Sequence, residues 1–438
     1  MIKRRHLFLA VAGVAATAAL LGGVLAGNPA TGPAADVNAA AAASTLTQGF
    51  SPGDTAAYIA QLERRVEQDP SDAEGLTLLG LAYQQRVRET GDPSFYPRSG
   101  EALRRALALA PDDDLALTGL AALAASRHRF RDAGRLARRA LAANPYSASA
   151  LGTLGDAKIE TGDYEGAFAT FDRMAALKPT VGSYARVSYA RELLGRADGA
   201  IEAMKLAVSA AAGSTEPAAW ALVELGNLYY NSGRLRPAER AYREALARFR
   251  DYHRAQAALA RVEAANGRVD EAVALYRRAL EAVPLPEYAA GLGETLAAAG
   301  RGEEAEEAYE LVDVMQRLFE ANGARTELET ALVDLDRGRR LADALARARE
   351  AYAARRSIEA EDVLAWALYR NGRCEEARAH SIKALRLGTR DALKLFHRGM
   401  IERCLGHGSA AQDAFRAALE INPYFSLRWA PVAEEAVR

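Results

Sequence analysis

The sequence predicts an all-α solenoid of about ten stacked helix-turn-helix units with terminal capping helices, and three periodic features predict it. A small residue recurs at Ser99, Ala133, Ala167, Ala200, Ala238, Ala272, Ala305, Ala342, Ala377 and Ala411, at spacings of 33 to 38 residues. A large side chain stands four residues after many of these marks, at Leu103, Phe171, Met204, Tyr242, Tyr276, Tyr309 and Phe415. Proline stands twelve residues after five of them, at Pro111, Pro145, Pro179, Pro284 and Pro423, where it ends a helix it cannot continue. One helical hairpin cannot bury its apolar face alone, so a repeated hairpin implies neighbours that cover one another.

In chain order, the first element is an address. Lys3, Arg4 and Arg5 precede an uncharged stretch from Leu7 to Ala26. A basic start followed by a hydrophobic run is an export signal. Rich in Ala and interrupted by Gly22 and Gly23, the run suits either a signal peptide cut after Val24-Leu25-Ala26 or an uncleaved anchor. Residues 1–26 are read as a signal peptide or signal anchor. The chain is then secreted, or held by residues 7–26 on the outer face of the cytoplasmic membrane. No Cys follows the run, which excludes a lipoprotein anchor. Residues 27–53 are mostly Ala, Gly, Asn, Thr and Pro with one charge, Asp36, and read as a flexible linker.

Asp54-Thr55 can cap a helix through Tyr58, Leu62 and Val66 to Pro70, a half-unit over residues 54–70 that covers the first edge. The repeats span about 73–423. Leu79-Gly80, Leu154-Gly155, Leu225-Gly226 and Leu292-Gly293 mark first helices, where Gly admits a close neighbour. Gly195, Gly233, Gly267, Gly300, Gly372 and Gly406 mark the turns inside units. Four places are irregular. Between Tyr83 and Ser99 about seven extra residues read as a loop on the turn edge. Ala211-Ala212-Gly213-Ser214 lengthens one inter-unit turn. Glu310 to Glu329 carries a longer second helix broken at Asn322-Gly323, and the Ala342 unit lacks the Leu-Gly pair. Residues 424–438 read as a C-terminal cap, with a short helix from Ser426 to Arg438.

Formal net charge is −1 over 438 residues, so nothing global favours nucleic acid or an anionic surface. Lys occurs only at Lys3, Lys158, Lys178, Lys205, Lys383 and Lys394; the Arg excess reads as coding bias. Phosphate-loop, His-Glu-x-x-His, Cys-x-x-Cys and Gly-x-Ser-x-Gly motifs are absent, and His128, His253, His380, His397 and His407 are scattered along the array. The expectation is no catalytic residue, no metal and no cofactor.

Leu225-Gly226-Asn227-Leu228-Tyr229-Tyr230, followed by Gly233, Ala238, Tyr242 and Ala245, carries the skeleton of the tetratricopeptide repeat. Residues 54–438 resemble that family throughout, and Ala360 to Arg373 and Leu395 to Met400 look like stretches of exported bacterial members of unassigned role. The resemblance implies a right-handed superhelix whose first helices line a concave groove where extended partner segments bind. Positions on one side of each first helix then face the groove: Asp156, Glu160, Tyr189, Glu192, Trp220, Asn227, Tyr230, Asn231, Arg254, Arg261, Glu294, Asp362, Trp366, Tyr369, Arg370, Phe396 and Met400. Trp220 and Trp366 equally suit packing between helices. Asn227, Arg254 and Arg261 loosely echo the set with which some members grip a terminal carboxylate, but Val223 stands where a Lys is wanted.

Cys374 begins one unit's second helix, and Cys404 lies near the end of the next unit's first helix. Outside the cytoplasm this permits a disulfide; otherwise they are two separate thiols. The expected function is a non-enzymatic scaffold outside the cytoplasm that binds a protein segment, with no nucleic acid and with membrane contact only through an uncleaved N-terminus. The alternative is a structural or assembly subunit of an envelope complex.

Overall fold

A computed structural model describes residues 52–211 and 216–438; the signal or anchor at 1–26, the linker up to 51 and most of the lengthened turn after Ala211 lie outside them. Among the described residues every regular element is a helix, 22 in all. Helix α1 (Pro52–Gln68) precedes ten antiparallel hairpins: α2 (Ala73–Thr90) with α3 (Phe95–Leu109), α4 (Asp114–Ser126) with α5 (Phe130–Ala143), α6 (Ala148–Thr161) with α7 (Tyr164–Leu177), α8 (Val181–Leu193) with α9 (Ala197–Ala210), and α10 (Glu216–Asn231) with α11 (Leu235–Arg248). Then come α12 (His253–Ala265) with α13 (Val269–Ala282), α14 (Pro286–Ala298) with α15 (Gly302–Ala321), α16 (Glu327–Arg337) with α17 (Leu341–Ala354), α18 (Ile358–Arg370) with α19 (Cys374–Ala384), and α20 (Ala392–Cys404) with α21 (Gly408–Ile421). Helix α22 (Ala430–Val437) closes the chain.

Local chemistry explains the boundaries. Helices α3, α5, α7, α13 and α21 end two residues before Pro111, Pro145, Pro179, Pro284 and Pro423, because the residue before a proline is pushed out of helical geometry. Asp72, Asp113, Ser147, Asp163, Thr180, Ser357 and Asp391 accept first-turn N–H groups of the helices they precede. The glycine of each Leu-Gly pair receives the large side chain of its own unit's second helix. A Cβ at Gly226 would stand 2.3 Å from the Tyr242 ring and one at Gly155 2.2 Å from Phe171; Gly399, which follows Arg398, does the same for Phe415 at 2.4 Å. Each ring therefore presses against bare backbone, and Tyr242 is wholly buried there.

Three local expectations are corrected. The extra residues before Ser99 lengthen α2 to Thr90 instead of forming a loop, because Val87 and Tyr96 bury themselves against Leu123, Phe319 and Ala324. The mark of the eighth unit is Ala344, fully buried, and not Ala342, which is exposed. The 20-residue α15 displaces the register by several residues, and the run Leu341-Ala342-Asp343-Ala344 offers two alanines to choose from. The final helix begins at Ala430, with 424–429 outside it.

The superhelix closes on itself. Turns inside units 2 to 5 meet the junctions after units 7 to 10, with bonded partners 194 to 197 residues apart. The Arg127 Nε donates to the Gly323 carbonyl at 3.1 Å, and the His128 Nδ1 lies 2.5 Å from the Arg325 carbonyl. The Arg356 N–H donates to the Glu160 carbonyl at 2.8 Å, and the Ile358 N–H donates to the Tyr164 hydroxyl at 2.7 Å. Buried Arg355 donates to the Glu160 carboxylate at 2.9 Å. Gly195 packs so close to Gly388 that a Cβ there would stand 2.3 Å from its carbonyl oxygen. One turn thus takes about five and a half units, and the second turn lies edge to edge on the first. The concave face becomes an enclosed interior.

Cys374 and Cys404, with Cα atoms 6.2 Å apart, are joined by a disulfide across a separation of 30 residues. It ties the first residue of α19 to the last of α20. Replacing both by Ser is expected to cost about 3 kcal/mol, because closure of a loop of that length is then paid on folding. Urea unfolding with and without reductant checks it: the serine variant should match reduced wild type.

Candidate functional site

Helix α21 stops at Ile421, and the Asn422 side chain accepts the Tyr424 N–H at 2.9 Å, turning the chain inward. The segment 424–429 turns onto the concave face, with Tyr424 still exposed and 425–429 half-buried, and is held there by first-helix residues. The Tyr230 hydroxyl on α10 donates to the Tyr424 carbonyl at 2.9 Å. The Ser426 hydroxyl donates to Glu294 on α14 at 2.9 Å while accepting the N–H groups of Arg428 and Trp429, each at 3.2 Å. The Trp429 indole N–H donates to Asp336 on α16 at 3.1 Å. Beside this segment remains a cavity of about 500 Å3, lined by α12, α13, α14, α15 and α16 together with residues 425–429.

The electrostatics follow from enclosure. Burial raises the Asp336 carboxyl above its usual range, against the pull of His397 and the two indole N–H groups that point at it. Burial likewise raises the Tyr230 hydroxyl, although the Arg261 guanidinium, 4.8 Å from the ring centroid, opposes it.

Of the residues assigned to the groove, Tyr230 and Glu294 hold the entering segment, and Arg261 lines the cavity. Asn227 supports them by accepting from the Tyr242 hydroxyl at 2.9 Å and from Arg261 at 2.6 Å. Arg254 lies among Tyr252, Tyr288, Glu224 and Glu287. Asn231 donates to Glu192 at 3.3 Å. Tyr369 stacks on Trp366 with centroids 4.9 Å apart, and the Arg370 guanidinium sits 5.4 Å from the Trp366 centroid and 5.8 Å from that of Trp429.

Four assignments are corrected. Trp220, 5 % exposed, and Trp366, fully buried, pack between helices, the alternative the sequence left open, though Trp366 also meets Trp429 of the entering segment. Asp156 is consumed by a buried pair with Arg186. Tyr189 packs against Ile159, Tyr164, Phe171 and Ile358, a cluster that joins the two turns. The further lining residues Glu160, Asp362, Phe396 and Met400 are buried as well; Glu160 pairs with Arg355, and Asp362 lies 2.9 Å from the His397 ring nitrogen.

Glu192 reports on the enclosure. Its carboxyl is pushed up to about 7, first by burial and then by Glu224 of its own turn and Asp391 and Glu359 of the other. The folded state therefore holds a proton the unfolded chain has released, and stability falls as pH rises from the ordinary Glu value of about 4.3 through 7. Glu192→Gln is expected to stabilise the protein by about 1–2 kcal/mol at pH 8 and to change nothing near pH 4, read from melting curves across that range.

The sequence reading missed the segment 424–429 and the seam residues His128, Tyr164 and Arg355. The one local signal was composition: Phe425, Leu427 and Trp429 are too apolar for the exposed face of a cap. Among the described residues no helix is long and apolar enough to cross a membrane.

Family models described as tetratricopeptide repeat match residues 124–190, 223–286 and 362–399. No curated protein matches the chain. Among solved structures it is similar to the APC/C hetero-tetramer Cut9-Hcn1, with 13 % identity, 88 % of this chain and 87 % of that one covered and a TM-score of 0.42. It is also similar to MamA, with 22 % identity, 37 % of this chain and 95 % of that one covered and a TM-score of 0.30. Repeat register and matching family models agree that the chain is a tetratricopeptide repeat protein, an array of the kind that serves as a protein-interaction scaffold.

Proposed function

We propose that this protein is a non-catalytic scaffold, exported from the cytoplasm, that binds an extended segment of a partner protein along its concave face. The observation that carries the reading is the segment 424–429, a non-helical run of turns held by first-helix side chains. Tyr230 takes a backbone carbonyl, while Glu294 and Asp336 take side-chain donors. A surface that satisfies the chain's own segment in this way has the chemistry to satisfy another's: ring faces give area, and fixed hydroxyl and carboxylate groups pair with a peptide.

The test is affinity capture from an envelope extract of the native host with wild type and a Tyr230→Ala/Glu294→Ala variant. A partner recovered by wild type and lost with the variant, at unchanged helicity, supports the reading. Full retention by the variant places binding elsewhere. Light scattering that shows a stable oligomer would favour the assembly-subunit alternative. Mass spectrometry of the mature N-terminus tests export, since an intact cytosolic chain from Met1 contradicts it.

A further inference from the structure

We infer that the cavity beside the C-terminal segment is a binding site for an organic cation, an ammonium or guanidinium group carried on an apolar body. Two buried polar atoms of the lining residues have no partner: the Thr326 Oγ1, in a residue 1 % exposed, and the Glu329 Oε2. A carboxylate oxygen can only accept, so this oxygen lacks a donor although the Glu329 side chain as a whole is 29 % exposed, and a buried acceptor without one is costly.

The charges around Glu329 point the same way. Its other oxygen accepts from Arg355 at 3.1 Å, but Arg355 also serves Glu160 at 2.9 Å, so one guanidinium faces two carboxylates. The His128 ring lies 3.9 Å from Glu329, and burial pushes it below its ordinary pKa, so it adds no charge at neutral pH. The other charged lining groups have partners. Glu294 and Asp336 hold Ser426 and Trp429, Arg261 is taken by Asn227 and the Tyr230 ring, Arg337 by Glu306 and the Tyr309 ring, Arg428 by Tyr309 and the Trp429 ring, and Glu287 faces Arg254. The unmet demand at the Glu329 Oε2 is therefore for a further donor, which a cationic N–H group supplies with charge complementarity.

Shape sets the rest of the ligand. At about 500 Å3 the cavity has the size of an organic-ligand site and far exceeds the room one water needs. Val312, Leu332, Val333 and Tyr276 supply apolar lining. The cation could be free in solution or be a Lys or Arg side chain of a partner; the recognising chemistry is shared. The inference uses the same interior as the proposed function but requires no protein partner.

Calorimetric titration of the full chain with phenethylamine, phenethyl alcohol and phenylacetate isolates the head group on one apolar body. A fourth titrant, a hexapeptide with one central arginine, separates the two sources. Wild type should bind the amine at least about tenfold more tightly than the alcohol and should not bind the carboxylate. Glu329→Gln should abolish the amine's advantage and leave alcohol binding unchanged. Thr326→Val, which keeps shape and removes the hydroxyl, should reduce that advantage and carries the test if Glu329→Gln misfolds by circular dichroism. Peptide binding with the same sensitivity to these variants assigns the cation to a partner's side chain, and amine binding alone assigns it to a free ligand; both support the inference. Equal affinity for amine and alcohol, or an advantage that survives in the folded variants, overturns it. Partner capture lost in Tyr230→Ala/Glu294→Ala while amine binding fails in wild type would leave the proposed function standing and remove this inference alone.

Discussion

Asp156→Ala is expected to lower stability by about 3–5 kcal/mol, among the largest losses available to a single substitution in this chain. The Arg186 side chain has no exposure, and its Nε and one terminal nitrogen donate to the two Asp156 oxygens at 2.9 and 2.6 Å. The other terminal nitrogen donates to the Gly182 carbonyl at 3.0 Å. The guanidinium lies on Gly152 of α6, where a Cβ would stand 3.0 Å from its central carbon. Removing the carboxylate strands a cation that cannot reach water, and that desolvation is the main cost. The pair itself is worth much less. An Asp156→Leu/Arg186→Met double variant, which refills the volume and removes both charges, should recover most of the loss. Urea titration of the two variants separates the cases. Equal destabilisation of both would mean that packing at this junction, not the stranded charge, sets the cost.

The fold was legible because a repeat protein writes its packing locally. Gly226 and Tyr242, or Gly155 and Phe171, are partners sixteen residues apart, and each pair can be read without knowing where the rest of the chain goes. The helix ends before Pro111 or Pro145 are local in the same sense. The errors arose where that locality fails. Val87 and Tyr96 look like a loop until Phe319, more than two hundred residues on, is placed against them. Ala342 and Ala344 cannot be told apart without the length of α15. For the candidate site, Tyr230, Arg261 and Glu294 were legible from helical spacing, which says which side of a helix a residue is on. Spacing does not say what covers that side. Glu160 with Arg355, Tyr164 with Ile358 and Gly195 with Gly388 meet because small rotations between successive units accumulate over about five and a half repeats, and no local pattern contains that sum.

Trp366→Ala is expected to cost about 3–5 kcal/mol and to release the C-terminal segment from the interior. Trp366 is fully buried and stacks on His397 at 4.2 Å between centroids and on Tyr369 at 4.9 Å, with the edge of Trp429 against it at 5.6 Å. Its indole N–H donates to the same Asp336 oxygen that Trp429 uses, at 3.0 Å. Truncation therefore opens a cavity at the junction of α18, α20 and the segment, and leaves Trp429 as the only indole holding a buried carboxylate. Trp366→Phe keeps much of the ring and loses only the N–H, so about 1–2 kcal/mol should go and the segment should stay. Hydrogen exchange discriminates the two, because the Arg428 and Trp429 amides are protected only while Ser426 accepts them inside the interior. Fast exchange at both amides in Trp366→Ala, with protection kept in Trp366→Phe, would show that the ring, through its contact with Trp429, is what docks the segment. Protection surviving in both would assign the docking to Tyr230 and Glu294 alone, and with it the residues a competing partner segment must displace.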